Sequence, residues 1–182
     1  DWAEAYNNLA IVLKDQGHSN EAQKKYQKAL QLKPDWAAAH SNFLYCLSLD
    51  VHTTPDQLHA EHLAFGQKFE SDLQTAWQAH TNVMNPARVI HIGFVSGDFY
   101  DHALANFFEP AFEFLAKKSD LVLHAYYNHI YDDAVTKRMR SNFAHWHCVA
   151  ELTEADLANR IRADGIDILV DLSGHTAHNR LL

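Results

Sequence analysis

The spacing of apolar residues changes about halfway along the chain. Up to Leu49 they recur at three- and four-residue intervals. Tyr6, Leu9, Ala10 and Leu13 share one face of a first predicted helix, and Ala22, Tyr26 and Ala29 share one face of a second, which Pro34 ends. Thr54-Pro55-Asp56-Gln57 then opens a further helical run with Leu58, His62, Phe65 and Phe69 on one side. Residues 78–87, QAHTNVMNPA, are a polar connector. Beyond them, short apolar runs at 89–95, 121–127, 145–149 and 166–172 alternate with helical stretches at 103–118, 132–143 and 153–164. Such alternation predicts right-handed crossovers and a parallel sheet. The run Ile166–Leu172, IDILVDL, is apolar enough to predict a central strand covered on both faces.

The first third also repeats itself. Asp1-Trp2-Ala3 returns as Asp35-Trp36-Ala37, and Asn8 returns as Asn42, a shift of 34 residues. That period is the tetratricopeptide signature, a helix–turn–helix unit that buries its apolar face by stacking on its neighbours. Small residues at Ala10, Ala22 and Ala29 allow close helix approach. One and a half repeats cannot form a stable solenoid, so the chain reads as the end of a longer array. Asn8 and Asn42, one repeat apart, serve either as a ladder that hydrogen-bonds a peptide backbone or as local helix-packing contacts. The expected organisation is a repeat end over 1–50, a helical linker over 51–86 and a Rossmann-like α/β unit over 87–182.

Composition narrows the partners. The 182 residues are 47% hydrophobic with a net charge of −8, which disfavours nucleic acid as a ligand, because phosphate binding needs clustered Lys and Arg. Lys137, Arg138 and Arg140 read as a solvated helix face next to Asp132 and Asp133. No apolar stretch approaches the ~20 residues needed to cross a bilayer. Cys46 and Cys148 read as free thiols of a reducing, cytoplasmic protein. Fourteen histidines raise the question of a metal. His145 and His147 would share a strand face, and His175 and His178 would be neighbours in a helix. Neither pair has Cys or carboxylate partners at zinc-like spacing, so no metal is expected.

In open parallel sheets ligands bind beyond the carboxyl ends of the strands. The first strand ends in Ser96-Gly97-Asp98-Phe99-Tyr100-Asp101-His102, and the second in Asn128-His129-Ile130-Tyr131-Asp132. The fourth ends in Asp171-Leu172-Ser173-Gly174-His175-Thr176-Ala177-His178-Asn179-Arg180. Two of these loops share a small residue, a glycine and a histidine, and so point to one site on one rim. The fingerprints of dinucleotide-binding proteins, P-loop enzymes and serine hydrolases are missing.

Repeats running into HIGFVSGDFYDH, then DAVTKRMR, then ADGIDILVDLSGHTAHNRLL resemble the protein O-GlcNAc transferases of glycosyltransferase family 41, which also contains the SPINDLY-type proteins. The resemblance covers essentially the whole chain. It implies α-helical tetratricopeptide repeats followed by part of the N-terminal Rossmann-like lobe of a two-lobed GT-B fold. It also implies inverting transfer of N-acetylglucosamine from UDP-GlcNAc to Ser or Thr hydroxyls, with no cofactor and no required metal. The family pattern D-F-x-x-H falls on Asp98, Phe99 and His102, with His102 as the candidate general base. Asp98 then either orients His102 or caps the following helix, and the cap reading is preferred. Ser173, Gly174, His175 and Thr176 match the loop that borders the donor sugar and phosphates. Backbone N–H groups near Gly174 and the Thr176 hydroxyl would bind phosphate at the start of a following helix. Animal members carry Tyr at the position of His175, so binding rather than catalysis is assigned to it.

The sequence stops where that helix should begin, and the resemblance places most donor contacts in a second lobe. The chain is therefore expected to be inactive alone, and to share its nucleotide sugar with that lobe and protein substrates with the repeats. Two alternatives stay open: a tetratricopeptide adaptor without catalysis, and a SPINDLY-type O-fucosyltransferase using GDP-fucose.

Overall fold

The computed structural model describes residues 1–180, in two compact units that meet between Gln78 and Ala79. The first unit is helical: α1 (Trp2–Asp15), α2 (Ser19–Leu32), α3 (Ala37–Ser48) and α4 (Pro55–Glu70), with a short 3-10 helix at Ser71–Ala76. Ala10, Ala22 and Ala29 are fully buried, as close helix approach requires. In α1 the inward face is turned relative to the expected one. Ala3, Asn7 and Ala10 are buried, whereas Leu9 is 43% exposed. Residues 3, 7 and 10 are themselves a three- and four-residue series, and small side chains there bring α1 closer to its neighbours than Leu9 would.

The helical pattern continues past Leu49. Thr54 caps α4 in a reciprocal capping box with Gln57. Phe65 and Phe69 of α4 then pack edge-on around His40 of α3 at 5.2 and 5.8 Å. Leu58, Phe65 and Phe69 join one core with Tyr26, Phe43 and Leu44, so the segment expected as a linker completes a second helical hairpin.

In the second unit β1 (Ile90–Ser96), α5 (Ala103–Leu115), β2 (Leu121–Tyr127), α6 (Ala134–Arg140), β3 (His145–Cys148), α7 (Glu154–Ala163) and β4 (Ile168–Asp171) form a parallel sheet of order β3-β2-β1-β4. Successive residues face opposite layers. Phe94, Leu123, Ala125 and Tyr127 meet Leu104 and Phe112 of α5 and Met139 of α6 on one face. Val95 and Tyr126 meet Leu157 of α7 on the other. The chain moves outward from β1 to β3 and then returns to the far side of β1. Right-handed crossovers in opposite directions put α7 opposite α5 and α6. Strand β4, expected in the centre, pairs among the described residues only with β1, and Ile168 and Leu169 are about half exposed.

At the amino-terminal end of the sheet Asp167 receives Arg88 through two hydrogen bonds, the Asn82 amide, and the His91 N–H at 2.9 Å. The Arg88 bonds hold its carboxyl well below the usual carboxylate range. Asn82, in the polar connector, also donates to the carbonyls of Gly165 and Ile166.

His124 lies 3% exposed within the sheet. Burial first, then the neighbouring His145 and His91, lower its pKa from 6.5 to about 4. The unfolded chain therefore binds a proton that the native chain excludes. Stability is full above pH 6.5 and falls as pH drops from 6.5 towards 4, by up to ~3 kcal/mol from this group. Urea midpoints measured across that range should fall accordingly, and a His124→Gln variant should show a flatter profile.

Candidate functional site at the carboxyl rim

Strands β1 and β4 are neighbours, so the two similar loops leave the sheet side by side. The Leu172 N–H donates to the Val95 carbonyl at 3.0 Å, and the Gly97 N–H donates to Ser173 Oγ at 3.3 Å. From β2, the Asn128 N–H reaches the Ser96 carbonyl and its side-chain amide reaches the His178 carbonyl, each at 2.8 Å. Three strand ends thereby join. Gly97 is required by space: a Cβ there would lie 2.6 Å from His178 Cβ. His178 itself adopts φ +59°, and His175 and His178 lie in consecutive turns.

Each proposed site residue has a defined place. Phe99 is fully buried against Phe112, Tyr127, Phe143 and Trp146, and it anchors the loop after β1 in the core. Asp98 is 7% exposed, and its N–H donates to Ser96 Oγ at 3.0 Å. It is not the helix cap. The N-cap of α5 is His102, whose Nδ1 accepts the Leu104 N–H at 3.3 Å. An imidazole one residue before the helix reaches a free first-turn N–H, while Asp98, four residues further back, is held by the turn. With Nδ1 accepting, the neutral His102 ring carries its proton on Nε2.

The loop after β4 is largely satisfied from within. Asp171 accepts the Ser173 N–H and, at 2.6 Å, the Gly174 N–H, with Gly174 at φ +53°. The Thr176 hydroxyl donates to the Ser173 carbonyl at 2.7 Å. Ser173 is buried and His175 half-buried. The helix expected to begin at Leu182 lies outside the described residues.

Other rim residues had weaker signals in the sequence. His129 meets His178 edge-on at 4.6 Å, and Tyr100 lies near His102, His129 and Tyr131 at 5.6–5.7 Å. A cavity of about 320 Å³ beside them is lined by residues that include His129, Tyr131, Arg140 and Trp146. Asp133 caps α6 and also accepts the Asp101 N–H at 2.8 Å, which joins the first two loops. Arg180 donates to Glu154 and to the carbonyls of Val149 and Leu152, which ties the β4 loop to the segment after β3. In the helical unit Asn8 and Asn42 do not meet directly. Asn42 donates to Asn7 at 3.3 Å and Asn7 donates to Asn8 at 3.4 Å, with Asn7 buried and Asn8 exposed.

A helical-repeat unit followed by a parallel α/β unit with its loops gathered on one rim defines a repeat-bearing, Rossmann-like protein. The tetratricopeptide repeat model matches residues 3–36, and the glycosyl transferase family 41 model matches residues 27–181. The chain belongs to glycosyl transferase family 41. It is 32% identical over 168 residues to the rice protein named probable UDP-N-acetylglucosamine–peptide N-acetylglucosaminyltransferase SPINDLY, covering 86% of this chain and 17% of that one. The Arabidopsis thaliana protein of the same name is 32% identical over 156 residues, covering 83% of this chain and 17% of that one. A solved mutant of Thermobaculum terrenum O-GlcNAc transferase superposes with a TM-score of 0.89 at 33% identity, covering 98% of this chain and 34% of that one. The chain thus spans about a sixth of the curated relatives it matches and about a third of the solved one. Among the described residues no helix is long and apolar enough to cross a membrane.

Gly97→Ala should force the two loops apart. The expected result is a loss of about 1–3 kcal/mol in urea unfolding, with faster amide exchange at 177–180. Unchanged stability and exchange would contradict the close approach.

Proposed function

We propose that this chain is the acceptor-side part of an inverting protein O-glycosyltransferase that moves N-acetylglucosamine from UDP-GlcNAc to Ser or Thr hydroxyls, without a required metal. The observation that carries the reading is the family 41 match through the whole rim, residues 27–181. The names of the relatives supply the donor and the peptide acceptor. The donor is shared with a second lobe, so the chain alone is proposed to be inactive. Cys46 and Cys148 are both free, which fits a cytoplasmic protein.

Inverting transfer needs a base at the acceptor hydroxyl and donors at the leaving phosphate. His102 is the proposed base. Its lone pair sits on Nδ1, where it holds the Leu104 N–H. Taking the acceptor proton therefore requires the ring to leave its cap, at a cost of ~0.5–2 kcal/mol, which substrate binding can offset. Ser173, Gly174, His175 and Thr176 are proposed to border the donor. The Gly174 N–H and Thr176 hydroxyl reach a phosphate only by exchanging their present bonds to Asp171 and Ser173. Asp98, whose N–H bonds to Ser96 Oγ in the loop after β1, is proposed to border the donor with them. Along the repeats, Asn8 and Asn42 are proposed to bind a peptide backbone at the ends of their hydrogen-bonded chain through Asn7.

Two substitutions separate the catalytic and capping roles of His102. Asn is among the best N-cap residues but is no base. In the complete enzyme, with labelled UDP-GlcNAc and a Ser/Thr peptide, His102→Asn should keep stability and lower kcat by about 10²–10⁴-fold, and His102→Ala should lower both. Near-normal turnover in His102→Asn would rule out the base. Turnover with GDP-fucose in place of UDP-GlcNAc would overturn the donor assignment.

A further inference from the structure

The parallel register places four histidines on one face of three adjacent strands. His124 is opposite His145 in the β2–β3 ladder and Tyr126 is opposite His147, while His91 is next to them on β1. His91 Nδ1 lies 3.0 Å from His124 Nε2, and the rings of His124 and His145 stack at 4.4 Å. His147 Nε2 is 3.4 Å from Asp164 Oδ2 at the end of α7. The Asp164 carboxylate also accepts Tyr126 Oη at 2.9 Å and Arg160 Nε at 2.9 Å.

Two nitrogens in this group are enclosed and have no hydrogen-bond partner, His124 Nδ1 and His147 Nε2. The first belongs to a side chain 3% exposed, where an unmet polar atom is costly. One ligand atom each from His124, His147 and Asp164 lies within 4.8 Å of the other two. A tetrahedral zinc site with bonds of about 2.0–2.2 Å holds its ligand atoms about 3.3–3.6 Å apart, so small rotations about χ1 and χ2 close the set.

We propose that His124, His147 and Asp164 form a structural site for a borderline divalent cation of the Zn²⁺ class. Two imidazoles and one carboxylate are the donor set that such ions prefer. The tautomers suit it. Coordination through His124 Nδ1 puts the His124 proton on Nε2, where it donates to His91 Nδ1 as an outer hydrogen bond. Coordination through His147 Nε2 moves the His147 proton to Nδ1. The Arg160 guanidinium, now 3.0 Å from that nitrogen, then withdraws to its existing bonds with Asp164. Burial, outweighed by the bonds from Arg160 and Tyr126, leaves the Asp164 carboxyl below its usual pKa and ready as an anion. The ion clamps β2, β3 and the end of α7 together, and water fills the fourth position.

The test is titration of the chain at pH 7.5 with Zn²⁺ by calorimetry and thermal melting, and with Co²⁺ by visible absorption. The proposal predicts one ion per chain, a raised Tm and the intense bands of four-coordinate Co²⁺. His147→Gln and, separately, Asp164→Asn should weaken binding at least about tenfold, whereas His145→Gln, which removes a ring outside the trio, should bind as the parent does. Near-ultraviolet circular dichroism of each variant confirms folding. Equal binding by parent and His147→Gln, loss in His145→Gln alone, six-coordinate Co²⁺, or no Zn²⁺ uptake at 100-fold molar excess would each overturn the site.

Discussion

The approach of the His178 backbone to Gly97 determines what the rim of the sheet can be. Parallel pairing alone brings the ends of β1 and β4 side by side, yet paired strands usually send their loops apart. Here a missing side chain at Gly97 lets the second loop settle over the first, and the Asn128 amide fixes it from a third strand by holding the His178 carbonyl. The loop from β4 cannot lift without releasing both contacts. That seam holds the β4 loop beside the loop after β1, where Ser173 Oγ also accepts the Gly97 N–H.

The opposite end of the sheet is held by charge rather than by close approach. Asp167 has an 8% exposed side chain and four donors from Arg88, Asn82 and the His91 backbone. A buried carboxylate without them would be strongly destabilising, so the polar connector through Asn82 and Arg88 is ordered by the need to neutralise it. A segment that reads as a spacer by composition is in this way part of the α/β unit.

Much of this architecture can be read from residue patterns, and the departures have local causes. The 34-residue period and the alternation of apolar runs gave the helical repeats and the parallel strands, because both report burial that the backbone geometry imposes. Periodicity alone does not choose between overlapping faces of α1; burial at positions 3, 7 and 10 does, and it leaves Leu9 exposed. In Ile166–Leu172 hydrophobicity signalled burial on two faces, while among the described residues β4 has one strand neighbour. The identity of the α5 cap was hidden because imidazole is not among the usual capping groups, although His102 Nδ1 is within reach of the first-turn N–H groups.

The histidines show where linear spacing stops being informative. His145 and His147 were legible as one strand face, and their rings are indeed parallel within 2°. What spacing could not supply was His124, brought opposite them by register, or Asp164, brought under them by the crossover through α7. A set of ligands drawn from two strands and a helix end has no motif, since its members are joined only by topology. The same holds at the rim, where Gly97, Asn128 and His178 act together from three separate loops. In both places the chemistry belongs to the order β3-β2-β1-β4 more than to any stretch of sequence.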